Sequence, residues 1–315
     1  MLSTGSRSGA ARCIQDEMAD DSTNDGSMAA TQSPADERLQ KIVDKALYAG
    51  GNEEAQKLRN FLNGTWLGES LHVVLTDVPI GAWTAAMFFD FLDTVVERGE
   101  FALAADASIA VGLAGAAGAA ATGITDWSDV DPPARRLGLI HGLMNVGGAA
   151  LFAISLLLRR KRCRKSGRAA SVLGFAVMSY AAHLGGKLVY EHRVGVDRTA
   201  GQVLPDNFIP VIQESQLADD KPTPVMAEGV PILLVRRAGR LFALADTCSH
   251  FSGPLSEGKL VDNCIECPYH ASRFDLEDGH VVHGPAVHPQ PRLEVRVHEG
   301  QIEVRRASLP DPCDR

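Results

Sequence analysis

Polar and apolar positions divide the chain into distinct textures. Residues 1–34, which include "MADDSTNDGSMAATQSPA", are small and polar without an aromatic or β-branched run, and they read as a disordered tail. No apolar h-region with a small-residue cleavage site appears there, so a cleaved secretory signal is not expected. Over residues 35–68, Leu39, Ile42, Val43, Ala46 and Leu47, and then Ala55, Leu58, Phe61 and Leu62, recur at helical spacing. Two short amphipathic helices follow, lying against a bundle or lipid headgroups, or else forming a solvent-facing hairpin.

Residues 69–195 carry four apolar stretches: Val78–Val96, Phe101–Ile124, Leu137–Leu158 and Ala169–Tyr190. Each reaches the roughly 20 residues that a helix needs to cross about 30 Å of hydrocarbon. None alternates as a strand would, and backbone groups in lipid must be satisfied within the segment, which leaves helices. Gly138, Gly142, Gly112, Gly115 and Gly118 supply small residues for close helix contact, and Trp83 and Trp127 fall near the ends of the stretches, where an interface suits them. A soluble Ala/Gly-rich bundle is the alternative. Four crossings put both chain ends on one side of a cell (inner) membrane. The loop Arg159–Arg168 lies on the other side, and its seven basic residues mark that side as cytoplasmic. The C-terminal part would then face outward, which requires a tail of about 70 residues to translocate without a signal; the side stays open.

From residue 205 to 306 the texture becomes short β-rich runs separated by Gly, Asp, Asn and Pro, with "RRAGR" and "VHEGQ" as hairpin turns. The fold class is therefore α + β in separate domains, a four-helix transmembrane bundle followed by a small all-β sandwich, with residues 307–315 as a tail. A net charge of −8 argues against nucleic acid as a partner. Cys13, Cys163 and Cys313 are scattered singly and form no disulfide framework. Inside the β-rich part stands Cys248-x-His250 and, sixteen residues on, Cys267-x-x-His270. Each loop offers one thiolate and one imidazole. A mononuclear zinc site usually pairs Cys with Cys and His with His, whereas two irons of unequal coordination take one of each from each loop. Cys264 is a spare ligand, a redox-sensitive thiol or an ordinary strand cysteine.

This pattern resembles the Rieske 2Fe-2S domain, and "HASRFDLEDG" and "HGPA" resemble that family's second cluster loop and proline loop. The resemblance implies one 2Fe-2S cluster, with Cys248 and Cys267 on the inner iron and His250 and His270 on the outer one. It also implies a potential between about −150 and +300 mV. Rieske subunits of quinol-oxidising complexes carry a further cysteine in each loop, joined as a disulfide; Gly253 and Tyr269 stand there in this chain. Phe274 replaces the tyrosine that bonds a cluster cysteine in those subunits, and Ser272 remains as a donor to sulfide. Fewer donors to sulfur imply the lower half of that window, as in Rieske ferredoxins. Pro285 marks the proline loop, and Ala271 stands where glycine is usual. "WLGESLHVVLTDVPIGAW" is similar to the opening of an uncharacterised four-helix bacterial membrane domain found fused to Rieske domains. His and Pro are common there at the places of Glu69 and Val73.

His72, His141 and His183 fall within about 10 Å of one membrane face by helical rise, and they suggest a haem b or quinone site, or else interfacial hydrogen bonding. Asp90 and Asp93 line a proton path or pair with Arg98 or Lys187. The leading reading is a membrane-anchored electron carrier rather than a stand-alone enzyme. Its acidic β domain, with 17 Asp and Glu against 11 Lys and Arg from Pro205 onward, suits a basic redox partner such as a reductase, oxygenase or cytochrome. A subunit of a quinol-oxidising complex and a membrane redox sensor are the alternatives. A ring-oxygenase terminal component fails on length, because only 45 residues follow His270.

Overall fold

The computed structural model describes residues 53–96, 99–130 and 132–307. The expected tails, the amphipathic stretch around Leu39–Leu47 and Arg98 lie outside these residues. Among the described residues five helices come first: α1 (Glu53–Asn63), α2 (Leu71–Val96), α3 (Glu100–Ser128), α4 (Pro132–Arg160) and α5 (Arg164–Tyr190). The last four are long and apolar enough to cross a membrane. Each extends beyond its apolar run because polar residues at the ends find partners on neighbouring helices. Trp83 therefore lies well inside α2 rather than near an interface. It is buried and stacks on Phe152 at 4.2 Å between ring centroids, with Ile109, Ala86 and Met178 around the pair.

The bundle is two antiparallel hairpins, α2–α3 and α4–α5, each packed mainly on itself. The first turns at Gly99, whose φ of 60 suits glycine. Corresponding positions in the two hairpins do corresponding jobs, 69 residues apart between α2 and α4 and 62 apart between α3 and α5. Trp83 packs on Gly112 and Phe152 on Gly174, where a Cβ would come within 2.2 Å and 3.2 Å of the ring. Asp90 of α2 and Arg159 of α4 are also equivalent, and they form an ion pair. Gly142, by contrast, has open space beside it and makes no close helix contact.

That ion pair belongs to a layer that joins the hairpins at the end remote from the β domain. The Arg159 side chain is fully buried, and its Nη1 donates to Asp90 Oδ1 at 2.7 Å and to Asp106 Oδ1 at 3.0 Å. Its Nε donates to Ser155 Oγ at 3.0 Å and its Nη2 to Ser171 Oγ at 3.1 Å. Arg164 pairs with Asp106, and Arg168 with Asp93. Among the described residues the carboxylates of α2 thus meet arginines of α4 and α5 rather than Lys187. Lys187 pairs with Glu191. Three of the seven basic residues counted toward sidedness are consumed in this layer. Arg160, Lys161, Arg162 and Lys165 stay exposed.

The C-terminal domain is a sandwich of two antiparallel sheets. Six strands run in the order β1 (Ile209–Gln213), β10 (Gln301–Arg306), β9 (Arg292–His298), β4 (Arg240–Ala245), β3 (Val230–Arg237) and β2 (Thr223–Ala227). The smaller sheet runs β5 (Lys259–Val261), β6 (Cys264–Glu266), β7 (Arg273–Asp275) and β8 (Val281–His283). Alternation along β3 serves two cores: Leu233 and Val235 face Ile265 and Phe274 of the small sheet and Leu255 in the turn before it, while Ile232 and Leu234 face Leu217, Val225 and Ile302. The expected turns at Ala238-Gly239 and Glu299-Gly300 have positive φ at both residues, as tight hairpins require.

Replacing Arg159 by Met leaves buried carboxylates without their cation and should cost about 3–5 kcal/mol, read as lower thermal stability in detergent. Adding Asp90→Leu should recover much of that loss, because the uncompensated charge is then gone.

Candidate metal centre

Two loops at one end of the sandwich are built alike. In the β4–β5 connection the N–H of Cys248 donates to the Gly253 carbonyl at 2.9 Å, and the N–H of Ser252 donates to the Cys248 carbonyl at 2.9 Å. In the β6–β7 connection Cys267 donates to Ser272 at 2.8 Å, and Ala271 donates to Cys267 at 3.1 Å. Ser252 and Ala271, at the same place in each loop, both have φ of 58. That conformation is the physical reason glycine suits the Ala271 position.

These loops bring Cys248, Cys267, His250 and His270 together. The imidazole centroids are 5.0 Å apart with perpendicular planes. The two thiols are in hydrogen-bond contact, and Cys248 donates. That bond, with burial, raises the Cys248 thiol well above its ordinary range and draws Cys267 down to about 7. Backbone N–H groups of His250 and Phe251 face the first sulfur, and those of Tyr269 and His270 face the second; such donors stabilise a thiolate. Burial holds the His250 imidazole well below its usual value, aided by the positive charge of His270, Arg59 and Arg198. A neutral ring is what a metal requires. His250 Nδ1 is buried with no protein partner. Two sulfurs in contact, one of them drawn toward the thiolate, two imidazoles beside them and one orphaned ring nitrogen fit an iron–sulfur group. Cys264 sits on β6 next to Ile265, which faces the core, so alternation turns its thiol away from this centre; burial raises it.

Gln290 supports the first loop in a way the sequence did not signal. Fully buried, it donates from Nε2 to the carbonyls of Ala245 (2.7 Å) and Thr247 (2.6 Å) and accepts from Ser249 N at 3.1 Å. Asp246 accepts from Ser256 N at 2.6 Å and anchors the same loop. The cluster end of the domain rests on the bundle through α1. Asn60 donates to the Val282 carbonyl at 3.0 Å and accepts from Gly284 N at 3.0 Å, while its neighbour Arg59 pairs with Asp129 beyond the end of α3. Arg198 N donates to Ser249 O at 3.0 Å. In the seam lies a cavity of about 40 Å³ lined by Asn63, Ser70, Asp126, Ser249, His250 and Pro285. It suits a few waters, and the amide of Asn63, buried with both polar atoms unpartnered, faces this seam. An engineered cavity that takes benzene measures about 150 Å³, so a quinone ring does not fit.

Residues 207–299 match the Rieske [2Fe-2S] domain, and residues 68–198 match a family described as predicted membrane protein (DUF2231). The chain is 36% identical over 89 residues to the anthranilate 1,2-dioxygenase ferredoxin subunit of Burkholderia cepacia, spanning 28% of this chain and 82% of that one. The chain belongs to the Rieske proteins. Ferredoxin CarAc of Metapseudomonas resinovorans is 36% identical over 74 residues, covering 24% of this chain and 69% of its own. The ferredoxin of carbazole 1,9a-dioxygenase from Nocardioides aromaticivorans IC177 aligns in structure at 29% identity and a TM-score of 0.31, over 32% of this chain and all of that one. The Rieske domain carries a single 2Fe-2S cluster, and the protein is an electron-transfer Rieske protein whose preceding helices match a predicted membrane protein family.

In this Rieske domain Phe274 is fully buried beneath the loops, and Ser272 Oγ accepts from Ala286 N at 3.0 Å, which ties the second loop to the proline loop. Pro285 is buried, whereas Tyr269 is 60% exposed. A Cβ at Gly253 would lie 2.9 Å from Cys267 Sγ and 3.0 Å from the Tyr269 ring. Of the membrane histidines, His72 and His141 come together in the bundle. His183 is exposed on the outer face of α5 beside Tyr180, so it does not join them.

Gly253→Ala should lower iron and acid-labile sulfide per chain, because the new methyl meets the Cys267 sulfur. Gln290→Ala should cost about 3 kcal/mol in thermal unfolding followed by cluster absorbance, since it orphans three buried backbone groups. Ala271→Gly should gain about 1 kcal/mol by relieving the left-handed backbone.

Proposed function

We propose that this chain is a membrane-anchored Rieske electron carrier. Cys248 and Cys267 hold one iron of the cluster, and His250 and His270 hold the other. The convergence of those four side chains, with His250 Nδ1 buried and otherwise without a partner, carries the reading. When bound, the cluster takes up or releases one electron. The chain's own groups set the terms of that exchange. Four backbone N–H groups face the two sulfurs and stabilise negative charge there. Phe274, Leu255 and Ile265 exclude water beneath them. Neutral imidazoles in place of two further thiolates keep the site less negative and the potential higher.

The β domain offers two directions for the electron. His250 faces the polar seam with the bundle, and the exposed Tyr269 beside His270 faces outward. The outward side suits a docked redox protein. One relative is the ferredoxin subunit of anthranilate 1,2-dioxygenase, which supports an oxygenase as the partner class. Gly253 and Tyr269 replace the disulfide of quinol-oxidising subunits, and the seam cavity is too small for a quinone ring; both favour the carrier over that alternative.

The full chain in detergent, reduced with dithionite, should give the rhombic EPR signal of one mixed-ligand cluster. Cys248→Ser and Cys267→Ser should abolish it. Exchanging both imidazoles for thiolates (His250→Cys with His270→Cys) should move the midpoint far down, toward about −400 mV. Colourless wild-type protein with zinc and no acid-labile sulfide would defeat the reading. Reduction by a quinol, but not by NADH with a ferredoxin reductase, would transfer the chain to the quinol-oxidising class.

A further inference from the structure

The membrane bundle contains a second pair of imidazoles that electron transfer by the cluster leaves unused. His72 of α2 and His141 of α4 stand across the bundle with ring centroids 6.4 Å apart and planes at 89°. Each is fixed by the same device. His72 Nδ1 bonds the Ala119 carbonyl at 2.8 Å, and His141 Nδ1 bonds the Ala181 carbonyl at 2.8 Å. A carbonyl only accepts, so Nδ1 carries the proton in both rings and Nε2 keeps its lone pair. One turn along α3 and α5 from those carbonyls, Gly123 and Gly185 make room for the rings; a Cβ there would lie 2.8 Å from His72 Cε1 and 3.0 Å from His141 Cε1. Ring, carbonyl and glycine recur at matching places in the two hairpins, which makes a chance meeting of two polar side chains a poor account.

We infer that His72 and His141 are the axial ligands of one b-type haem held between the two hairpins. The spacing supports this: two metal–nitrogen bonds of about 2 Å, each continued to a ring centre, place the centroids of a bis-imidazole pair about 6 Å apart. A backbone carbonyl on the far ring nitrogen is the usual way a protein orients a ligating histidine. A bare transition metal does not fit, because no third His, Cys, Asp or Glu gathers with this pair among the described residues. A haem needs only one protein ligand on each face. Asn145 donates to His141 Nε2 at 3.1 Å and to the His141 carbonyl at 3.0 Å, so it yields the ring nitrogen to iron and keeps its second bond.

The site adjoins the seam with the Rieske domain. Ser70, two residues before His72, bonds Asp126, which stands three residues after Gly123, and both line the cavity that His250 also lines. By helical rise the imidazole pair begins about 5 Å below that cavity. A haem there puts a second one-electron centre beside the first. The inference stands on the bundle geometry alone and does not depend on which residues hold the cluster.

The test uses the full chain, expressed with a haem precursor, purified in detergent and, where haem is low, titrated with haemin. The expected result is a Soret band, sharp α and β bands on reduction, and about one haem per chain by pyridine haemochrome. Near-perpendicular imidazole planes leave two iron d orbitals almost degenerate, so the ferric form should give a highly anisotropic low-spin EPR signal. His72→Ala and His141→Ala should each lose the six-coordinate spectrum while keeping the cluster EPR signal, which reports a folded chain. His183→Ala should keep both. Wild-type protein without a six-coordinate haem spectrum after haemin titration would overturn the inference, and so would haem retained by the double variant of His72 and His141. Extractable quinone in place of haem would overturn it in favour of a quinone bonded between the rings.

Discussion

Burying an imidazole nitrogen with no protein partner costs on the order of 1–3 kcal/mol, and His250 Nδ1 is in that position. The proposed cluster would meet that cost, and the rest of the β domain holds the site in place for it. Twin loops closed by paired backbone bonds fix the two thiols and the two rings, and Gln290 and Asp246 fix the first loop in turn. The seam places the positive charge of Arg59 and Arg198 near His250, which keeps the ring neutral and ready to ligate. Holding four side chains of two distant loops at one point is therefore the constraint that the local fold answers.

The membrane part is organised by polar groups at its two ends. Far from the β domain, buried Arg159 and its carboxylates tie the two hairpins together. Near the domain, His72 and His141 meet across the same diagonal. Between them the stack of Trp83 on Phe152 fills the middle. The outward faces are left to apolar side chains such as Leu103, Leu143 and Val172, as suits a lipid surroundings.

The meeting of Cys248, His250, Cys267 and His270 was legible because Cys-x-His and Cys-x-x-His spacings are local and chemically specific, and the four apolar helices were legible by length. What escaped depends on contacts between distant segments. Apolar windows place Trp83 near an end because they stop at Val78, whereas the helix begins at Leu71. Counting charges treats Arg159, Arg164 and Arg168 as a solvated loop, whereas carboxylates 58 to 75 residues earlier in the chain bury the first and engage the others. Gln290 and Asn60 carry no motif: a glutamine between prolines and an asparagine on a short helix reveal their jobs only when the chain is folded. His183 looks equivalent to His72 and His141 by depth, and differs only in which way its helix face turns.

The bonds from Asn60 to Val282 and Gly284 have a mechanical corollary. In the proposed membrane-anchored carrier, a redox head clasped by α1 would not commute between donor and acceptor on a loose leash. Its partners must do the travelling, in two dimensions along the bilayer or down onto it from the aqueous phase. Throughput would then follow their abundance and landing frequency rather than any swing of the domain itself.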